Sequence, residues 1–335
     1  MECSEERILS PRENLNPLVT QYVEVQRELK ETRNQRRRRH LKRELADLRI
    51  ELGWKLIDSG RSEEGLAMYS SLSWKEHGEV KCNGMSRALV ELGRHDEAAR
   101  LLEAGLRRYP GSSMLWVAKG AFYASLEDTL ESMRCFDRAI LLSSEGSWEA
   151  LYNKVICLEK LGSCEEAVPI IEGLMKQYPG DPKFLSERGY CASEMGYPQE
   201  ALQYYRSAMA SWVEDQDVYT GVNIYAGLCV AYTGLGQKKE AMEIALEGLK
   251  RFPDEDPILY QNVSATFWEM GWKEESREVL KRGIEKFPEN EELKKILDDI
   301  DDDMDDPDDG VKPPLLGLML LTALIYKKMK GRRRP

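Results

Sequence analysis

The apolar positions of this chain recur at helical spacing, and the pattern itself is repeated along much of the sequence. Residues 92–113 read Leu-Gly, three polar or small residues, Glu-Ala, an apolar stripe and Tyr-Pro, and residues 161–182 repeat nearly the same phrase. Within the first phrase, Leu102, Leu106 and Tyr109 lie four and three residues apart, which places them on one face of an α-helix. The pattern predicts amphipathic helices arranged in similar, successive repeats.

A small residue marks the same point in each of seven repeats. These anchor residues are Gly65, Ala98, Ser132, Ala167, Ala201, Ala241 and Ser276. Their intervals are 33, 34, 35, 34, 40 and 35 residues, and a period near 34 is typical of a helix-turn-helix repeat. The side chain is small because two helices are expected to cross there, and a larger group would push them apart. The longer interval predicts about six extra residues within 211–221, which lengthen a helix or the turn after it.

Glycine and proline punctuate the repeats. A glycine precedes the anchor by five residues in every repeat except the third, where Glu127 stands instead. Glycine accepts the positive φ that ends a helix and begins a tight turn. A proline follows the anchor by twelve residues in four repeats, and it stops the second helix because it cannot continue one. These prolines are Pro110, Pro179, Pro253 and Pro288.

The repeat resembles the tetratricopeptide repeat family. That family's pattern asks for Trp-x-x-Leu-Gly-x-x-Tyr followed by Ala, Phe and Pro. Trp116, Gly120 and Tyr123 carry its first half in the third repeat, and Gly53 and Gly189 match it elsewhere. Repeats one, two and seven depart most from the pattern, as terminal or near-terminal repeats often do.

The resemblance covers residues 46–290 and implies an all-α fold, in which about seven antiparallel hairpins stack into a right-handed superhelix. One hairpin leaves an apolar face uncovered, so the stack is stable only as a whole. The family implies a protein-binding scaffold whose first helices line the concave face. Amides and tyrosines there can hydrogen-bond the main chain of an extended peptide. The residues expected on this face are Asn83, Arg87, Tyr152, Asn153, Lys183, Tyr190, Asn223, Gln261 and Asn262.

Chaperone-binding members of the family hold a terminal carboxylate with two lysines, two asparagines and a further arginine or lysine. Asn153 and Lys183 stand at two of those places in this chain. Glu187 stands where a basic residue is required, and Val117 and Ala121 replace a lysine and an asparagine. A carboxylate would meet repulsion and lack most of its donors. Repeats three to five are therefore not expected to form this clamp.

The N-terminal segment, residues 1–45, is highly charged, and a leading helix is predicted over 18–44. Its basic run at residues 36–43 is interpreted as the solvated face of a capping helix. Binding to nucleic acid or anionic lipid is an alternative, although no aromatic residue is interleaved for base stacking. Pairing with the chain's own aspartates is a third possibility. Leucines continue at helical spacing into the first repeat, at Leu41, Leu45, Leu48, Leu52 and Leu56.

Past the repeats, residues 291–300 are predicted to form a capping helix, and residues 301–312 an acidic, disordered linker. An apolar segment with a basic tip follows at 313–335. We interpret it as a membrane anchor, short for a full span, and a shallow insertion or a fold back into a groove are alternatives. The membrane-contacting residues are expected to be Leu315, Leu316, Leu318, Met319, Leu320, Leu321, Leu324, Ile325 and Tyr326.

Charge and cysteine usage narrow the functional classes. The net charge is −11, and nine aspartates lie within residues 298–309, so the remainder is nearly neutral and unlike a basic nucleic-acid-binding body. Seven cysteines without a Cys-x-x-Cys pair, and no apolar leader at residues 1–16, predict a reducing, cytoplasmic compartment. The cysteines within the repeats are expected to be core residues.

No catalytic motif emerges from the sequence. The three histidines have no metal-binding spacing, and neither a phosphate-binding loop nor a nucleophile elbow occurs. We therefore expect no enzyme activity, cofactor or metal. The favoured interpretation is a scaffold that binds other proteins and is attached to a membrane through residues 313–335. The alternative is a soluble adaptor, either nucleic-acid-associated through its basic N-terminal helix or self-inhibited.

Overall fold

The computed structural model describes residues 16–143, 147–213, 218–253 and 257–305. Over these ranges every regular element is an α-helix. The described chain forms two compact bodies, the first ending at Asn153 and the second beginning at Lys154. The predicted apolar segment 313–335 and residues 306–312 of the predicted linker lie outside the described residues.

The first body contains a leading helix and the helices of repeats one to three. They are α1 (Asn16–Glu31), α2 (Gln35–Asp58), α3 (Ser62–Ser70), α4 (Trp74–Glu91), α5 (His95–Arg108), α6 (Ser113–Ser125) and α7 (Thr129–Leu142). The boundary between the bodies falls within α8 (Trp148–Lys160), the first helix of repeat four.

The second body contains the rest of repeat four, repeats five to seven and a final helix. Its helices are α9 (Cys164–Gln177), α10 (Pro182–Glu194), α11 (Pro198–Ser211), α12 (Val218–Gly234), α13 (Lys238–Arg251), α14 (Pro257–Glu269), α15 (Lys273–Lys286) and α16 (Glu291–Asp305). The extra residues predicted between Ala201 and Ala241 lie in this body. Helix α12 has 17 residues, whereas α10 and α14 have 13 each.

Seven successive helix pairs, from α2/α3 to α14/α15, match the seven predicted repeats. Every predicted anchor residue lies on the second helix of its pair and is buried. The first helices also pack on one another: in the first body α4 contacts α2 and α6, and in the second α12 contacts α10 and α14. The predicted all-α class, built from about seven helical hairpins, is confirmed.

The turns inside the pairs have the predicted left-handed backbone. The six predicted glycines have φ between 68° and 79°, and Glu127 adopts the same conformation with φ 64°. After Glu127, the N–H of Asp128 donates to the carbonyl of Tyr123 at 3.0 Å, just as Arg94 N–H donates to Leu89 O at 2.8 Å after Gly93. These bonds satisfy carbonyls at the helix end. The third repeat thus keeps the turn geometry without the glycine.

The predicted prolines follow the ends of the second helices. Four second helices end two residues before a proline, at Arg108, Gln177, Arg251 and Lys286. In the first repeat, which lacks this proline, α3 already ends at Ser70. The Lys81 ammonium of α4 donates to the carbonyls of Ser70 and Leu72, at 2.9 Å for Leu72, and so satisfies acceptors left by the early end. Burial lowers the pKa of Lys81.

Aromatic rings on second helices pack into gaps that glycines leave on first helices. Tyr69 lies between Gly53 of its own repeat and Gly84 of the next, and a Cβ added at Gly53 would lie 2.6 Å from the ring. Tyr205 lies in the same way between Gly189 and Gly227, and an added Cβ at Gly227 would overlap the ring. Since such overlap is incompatible with the observed packing, the glycines allow the rings to enter.

Side-chain size is compensated within each repeat at these positions. Where the residue twelve places before the anchor is glycine, the residue four places after it is aromatic, as in repeats one, three and five. Where the residue twelve places before the anchor is larger than glycine, the residue four places after the anchor is aliphatic. The aliphatic pairs are Ser86 with Leu102, Val155 with Ile171, Cys229 with Ala245, and Ser264 with Leu280. The combined volume between the helices is thereby kept within the limits of close packing.

The leading helix differs from the prediction, which ran one helix over 18–44. The structure breaks it at residues 32–34 and places everything from Gln35 onward in α2, the first helix of repeat one. The side chain of Asn34 causes the break, because its oxygen accepts from the N–H groups of Arg36 and Arg37 at 2.9 and 3.1 Å. This is an N-cap, which begins a new helix. The predicted leucines of α2 are buried.

Part of the basic run holds α1 against α2. The guanidinium of Arg37 pairs with Glu28 at 2.6 Å. Arg38 donates to the carbonyls of Leu29 and Thr32, at 3.0 and 3.1 Å, at the end of α1. These contacts favour a structural role for Arg37 and Arg38. The other basic residues of the run remain the candidates for nucleic-acid binding.

The final helix is longer than predicted. We expected a helix over 291–300 and a disordered linker from 301, but α16 continues to Asp305. Leu293, Ile296 and Ile300 are buried in the core cluster of the second body, and Arg277 pairs with Asp301 at 2.6 Å. Apolar contacts and this ion pair offset the repulsion between successive aspartates, so the linker prediction was wrong for residues 301–305.

The cysteines of the repeats lie in the core, as predicted. Burial raises the pKa of Cys82 and Cys135 to about 11 each, and that of Cys229 to about 12. These thiols stay protonated at neutral pH, and a thiol is a far weaker nucleophile than a thiolate.

Among the described helices, none is both long enough and apolar enough to cross a membrane. The predicted membrane anchor at 313–335 lies outside the described residues and is not one of these helices.

Replacing Glu127 with glycine is expected to stabilise the protein by about 0.5–1 kcal/mol, because a non-glycine residue in the left-handed region is strained. Gly93→Ala is the matched control. It is expected to destabilise by about 1 kcal/mol, although nothing lies within 4 Å of the new Cβ. Equilibrium denaturation of the full chain measures both. A loss of stability in Glu127→Gly would contradict the turn assignment.

Candidate functional site

The described structure contains a groove in the second body, lined by the first helices of repeats four to seven. It contains about 580 Å³ of empty space, which includes part of the open solvent at its mouth. Side chains from α8, α10, α12 and α14 form its walls, and Tyr205 of α11 also lines it. This is the helix layer that the family resemblance assigns to the concave face.

The groove is formed locally by caps and small residues. The carboxylate of Asp181 accepts from the N–H of Lys183 at 2.9 Å, and Pro182 fills the first turn, so α10 begins at that point. Gly189 and Gly227 admit the ring of Tyr205 between α10 and α12. The side chains of both helices can therefore face the same space.

Four buried polar atoms in the lining have no hydrogen-bond partner in the described structure. They are the Tyr190 hydroxyl and Oγ of Ser193 on α10, Oδ1 of Asn223 on α12 and Nδ2 of Asn262 on α14. Tyr190 and Asn223 are 7% and 8% exposed, and Asn262 is 1% exposed. An unpaired buried polar atom costs about 1–3 kcal/mol, and native proteins contain few of them. Those of Tyr190, Asn223 and Asn262 lie on three successive first helices and form a candidate polar site.

The lining is also acidic. Glu159 of α8 and Glu187 of α10 are buried, and Glu194 lies at the exposed edge. The groove-lining residues include no lysine, arginine or histidine. Burial, followed by the charges of Glu194 and Glu159, raises the pKa of Tyr190. Burial and the charge of Glu187 raise the pKa of Tyr205. Burial also raises the pKa of Glu194. The groove thus presents carboxyl groups beside neutral phenols.

Behind the lining, Cys191 of α10 has its Sγ atom 4.0 Å from Oε1 of Glu159. A hydrogen bond with Cys164, burial and the charge of Glu159 raise the pKa of the Cys191 thiol. A protonated thiol beside a carboxylate packs as a weak donor and does not act as a nucleophile. The chemistry of the groove is therefore hydrogen bonding and charge.

Of the nine residues predicted on the concave face, the structure brings Tyr190, Asn223 and Asn262 together in this groove. Gln261 is buried on α14 next to Asn262 but is not part of the lining. Lys183 is half-buried in the first turn of α10 and is not one of the lining residues.

The other predicted residues lie in the first body. Asn83 and Arg87 are half-buried on α4. The Arg87 guanidinium pairs with Asp58 at 2.6 Å and lies over the ring of Trp54, 4.5 Å from its centroid. Tyr152 and Asn153 are on α8, where Nδ2 of Asn153 donates to the carbonyl of Glu149 at 2.7 Å. Arg87 and Asn153 thus already have partners within the first body.

Sequence reasoning missed the acidic residues of the groove as a group. Glu187 stands out in the sequence only as a departure from the carboxylate clamp, and neither Glu159 nor Glu194 was singled out. A usable signal existed for Glu159, since it directly follows the apolar run at residues 155–158. A charge inside an apolar helical stripe is uncommon unless it is paired or functional.

Comparison with known proteins agrees with the repeat anatomy. A family model described as "Tetratricopeptide repeat" matches residues 84–122. Protein FlbA of Caulobacter vibrioides is 28% identical over 137 residues, which is 40% of this chain. The chain spans only 23% of the length of that curated relative.

Solved structures share the fold at low sequence identity. A subunit of the Cut9–Hcn1 hetero-tetramer of the APC/C has a TM-score of 0.61 at 15% identity, over 84% of this chain and 52% of its own. A tetratricopeptide repeat protein from Parabacteroides merdae has a TM-score of 0.57 at 14% identity, over 76% and 97%. Yeast Tom70 has a TM-score of 0.56 at 12% identity, over 90% and 63%.

The predicted resemblance is thereby confirmed from two sides, by the family model in one part of the chain and by the shared fold over most of it. The chain is similar in sequence to a tetratricopeptide repeat at residues 84–122, and its helical-repeat fold is shared with solved structures that include a tetratricopeptide repeat protein.

Proposed function

We propose that this protein is an interaction scaffold that binds an extended segment of another protein in the groove of its second body. The observation that carries the proposal is the set of three unpaired polar atoms, on Tyr190, Asn223 and Asn262. Asn223 Oδ1 accepts, Asn262 Nδ2 donates, and the Tyr190 hydroxyl does either. The main chain of an extended segment offers alternating donors and acceptors that match such a set.

The spacing of the helices supports the same mode. Packed helices lie about 8–10 Å apart, and an extended chain advances about 3.3 Å per residue. One polar group on each of α10, α12 and α14 therefore meets a segment about once every three residues. Main-chain recognition of this kind tolerates many sequences, as a scaffold requires.

Selection of random twelve-residue peptides on the full chain tests this proposal. Selected peptides are expected to bind the Asn223→Ala/Asn262→Ala variant about fivefold to 150-fold more weakly than wild type, since each of the two hydrogen bonds contributes about 0.5–1.5 kcal/mol. The control Gln199→Ala/Gln203→Ala removes two exposed amides from α11 and should bind as wild type. Fluorescence anisotropy measures the affinities. Failure to select any peptide sensitive to the asparagine pair sinks the proposal.

Tyr190→Phe separates a functional hydroxyl from a structural one. Removing an unpaired buried hydroxyl is expected to leave the free energy of unfolding unchanged, or to raise it by up to about 1 kcal/mol. Tyr69→Phe is the matched control, because its hydroxyl donates to Ile50 O at 3.1 Å, and it should destabilise by about 1 kcal/mol. Equal losses in equilibrium denaturation would mean that Tyr190 has an internal partner.

We further propose that residues 313–335 attach the scaffold to a membrane. The support is the apolar run at residues 315–326, followed by Lys327, Lys328 and Lys330. An apolar helix without a polar face needs a non-aqueous environment, and lysines at its end can reach the interface.

Deleting residues 313–335 is expected to move the protein from the membrane fraction to the supernatant without unfolding the described helices. Leu320→Asp/Leu321→Asp should act similarly, because a charge at the membrane centre costs about 2.5–3.5 kcal/mol. Deleting only residues 332–335 is the control for headgroup binding and should leave the protein in the pellet. Sedimentation after cell lysis and circular dichroism provide the readouts. Membrane pelleting of the larger deletion would refute the attachment.

A further inference from the structure

The groove lining is acidic as well as polar. Its lining contains three carboxylates and no basic side chain. Glu159 and Glu187 are 3% and 4% exposed, so their charges are screened far less than surface charges. They approach the groove from α8 and α10, beside the polar group of Tyr190.

Neighbouring groups respond to this concentration of negative charge. Burial raises the pKa of Tyr190 and Tyr205, and a hydrogen bond with Cys164 together with burial raises that of Cys191. The charge of Glu159 adds to all three shifts. All of these shifts disfavour any further negative charge at this end of the groove. A ligand carboxylate would be repelled there, and a ligand cation would be attracted.

Resting on the proposed function, we propose that the bound segment belongs to another protein and carries a lysine or arginine, whose cationic group enters the groove between Glu159 and Glu187. Tyr190, Asn223 and Asn262 then hold the main chain on one side of that residue. The cation is recognised at the α8–α10 end, and the main chain toward α14. The preference is opposite to that of the carboxylate clamp described for chaperone-binding relatives.

The expected loss of peptide affinity follows from the burial of Glu159 and Glu187. Removing one partner of a desolvated, hydrogen-bonded charge pair in an interface costs far more than removing an exposed one. Neutralising either groove glutamate is therefore expected to weaken a basic peptide by at least about tenfold. The same change should leave a peptide without the basic residue unaffected.

The peptides selected on the full chain supply the probes. We expect lysine or arginine to be enriched at one position, and replacement of that residue by norleucine or citrulline to weaken binding by at least about tenfold. Glu159→Gln and Glu187→Gln should each weaken the parent peptide but not its neutral analogue. Glu165→Gln/Glu166→Gln removes two exposed carboxylates of α9 and is the matched control, expected to bind as wild type.

The outcomes separate this inference from the proposed function. If the selected peptides depend on Asn223 and Asn262 but show no basic preference, the groove binds peptides and the charge inference is wrong. If a glutamine variant fails to fold, as judged by circular dichroism, the norleucine and citrulline peptides decide the question on the unaltered chain.

Deleting residues 327–335 tests whether the chain's own basic end, instead of a partner protein, occupies the groove. If removing residues 327–335 strengthens peptide binding more than about tenfold, that end occupies the groove and the external partner is wrong. Unchanged binding supports a partner from another protein.

Discussion

The described architecture depends on the contact between a second-helix side chain and the first helices on either side of it. In repeats one and five this side chain is a tyrosine, and glycines on both flanking helices receive its ring. Because the ring contacts two repeats at once, it fixes the position of one first helix relative to the next. A helix pair alone would expose this ring, so the contact also explains why the repeats depend on their neighbours.

The groove is a consequence of this packing. Tyr205 lies between Gly189 and Gly227, and the same helices present Tyr190 and Asn223 to the groove. The helices are held by apolar contacts that do not involve the three unpaired polar atoms. Each unpaired atom costs about 1–3 kcal/mol, which is substantial for a protein of ordinary stability. The fold can tolerate this cost because its apolar contacts are independent of these atoms.

Much of the fold was predictable because its causes are local. The glycine turns, the small anchors and the prolines each follow from the conformational limits of one residue, and the structure has them at the predicted positions. The break at Asn34 was missed because a cap depends on one side-chain bond inside a continuous helical pattern. The extension of α16 to Asp305 was missed because charge density was weighed without the apolar contacts of Ile296 and Ile300.

The site was predictable only in part. Assigning first helices to the concave face named Tyr190, Asn223 and Asn262, which line the candidate groove, but it did not separate them from Arg87 and Asn153, which have partners within their own body. That distinction depends on which side chains the packing leaves unpaired. Likewise, the acidic character of the groove arises from residues on two helices, α8 and α10, and no single sequence window contains it.

The coupling between Tyr205 and Gly227 is the most direct measure of the packing on which this account depends. The free energies of unfolding of Gly227→Ala, Tyr205→Leu and the double variant, with wild type, form a double-mutant cycle. Each single change should destabilise by about 1–3 kcal/mol, and the double variant should lose at least about 1 kcal/mol less than their sum, because leucine leaves room for the methyl group. Gly173→Ala, where nothing lies within 4 Å, should be neutral or stabilising. Additivity within about 0.5 kcal/mol would contradict the account, since the ring and the glycine would then act independently.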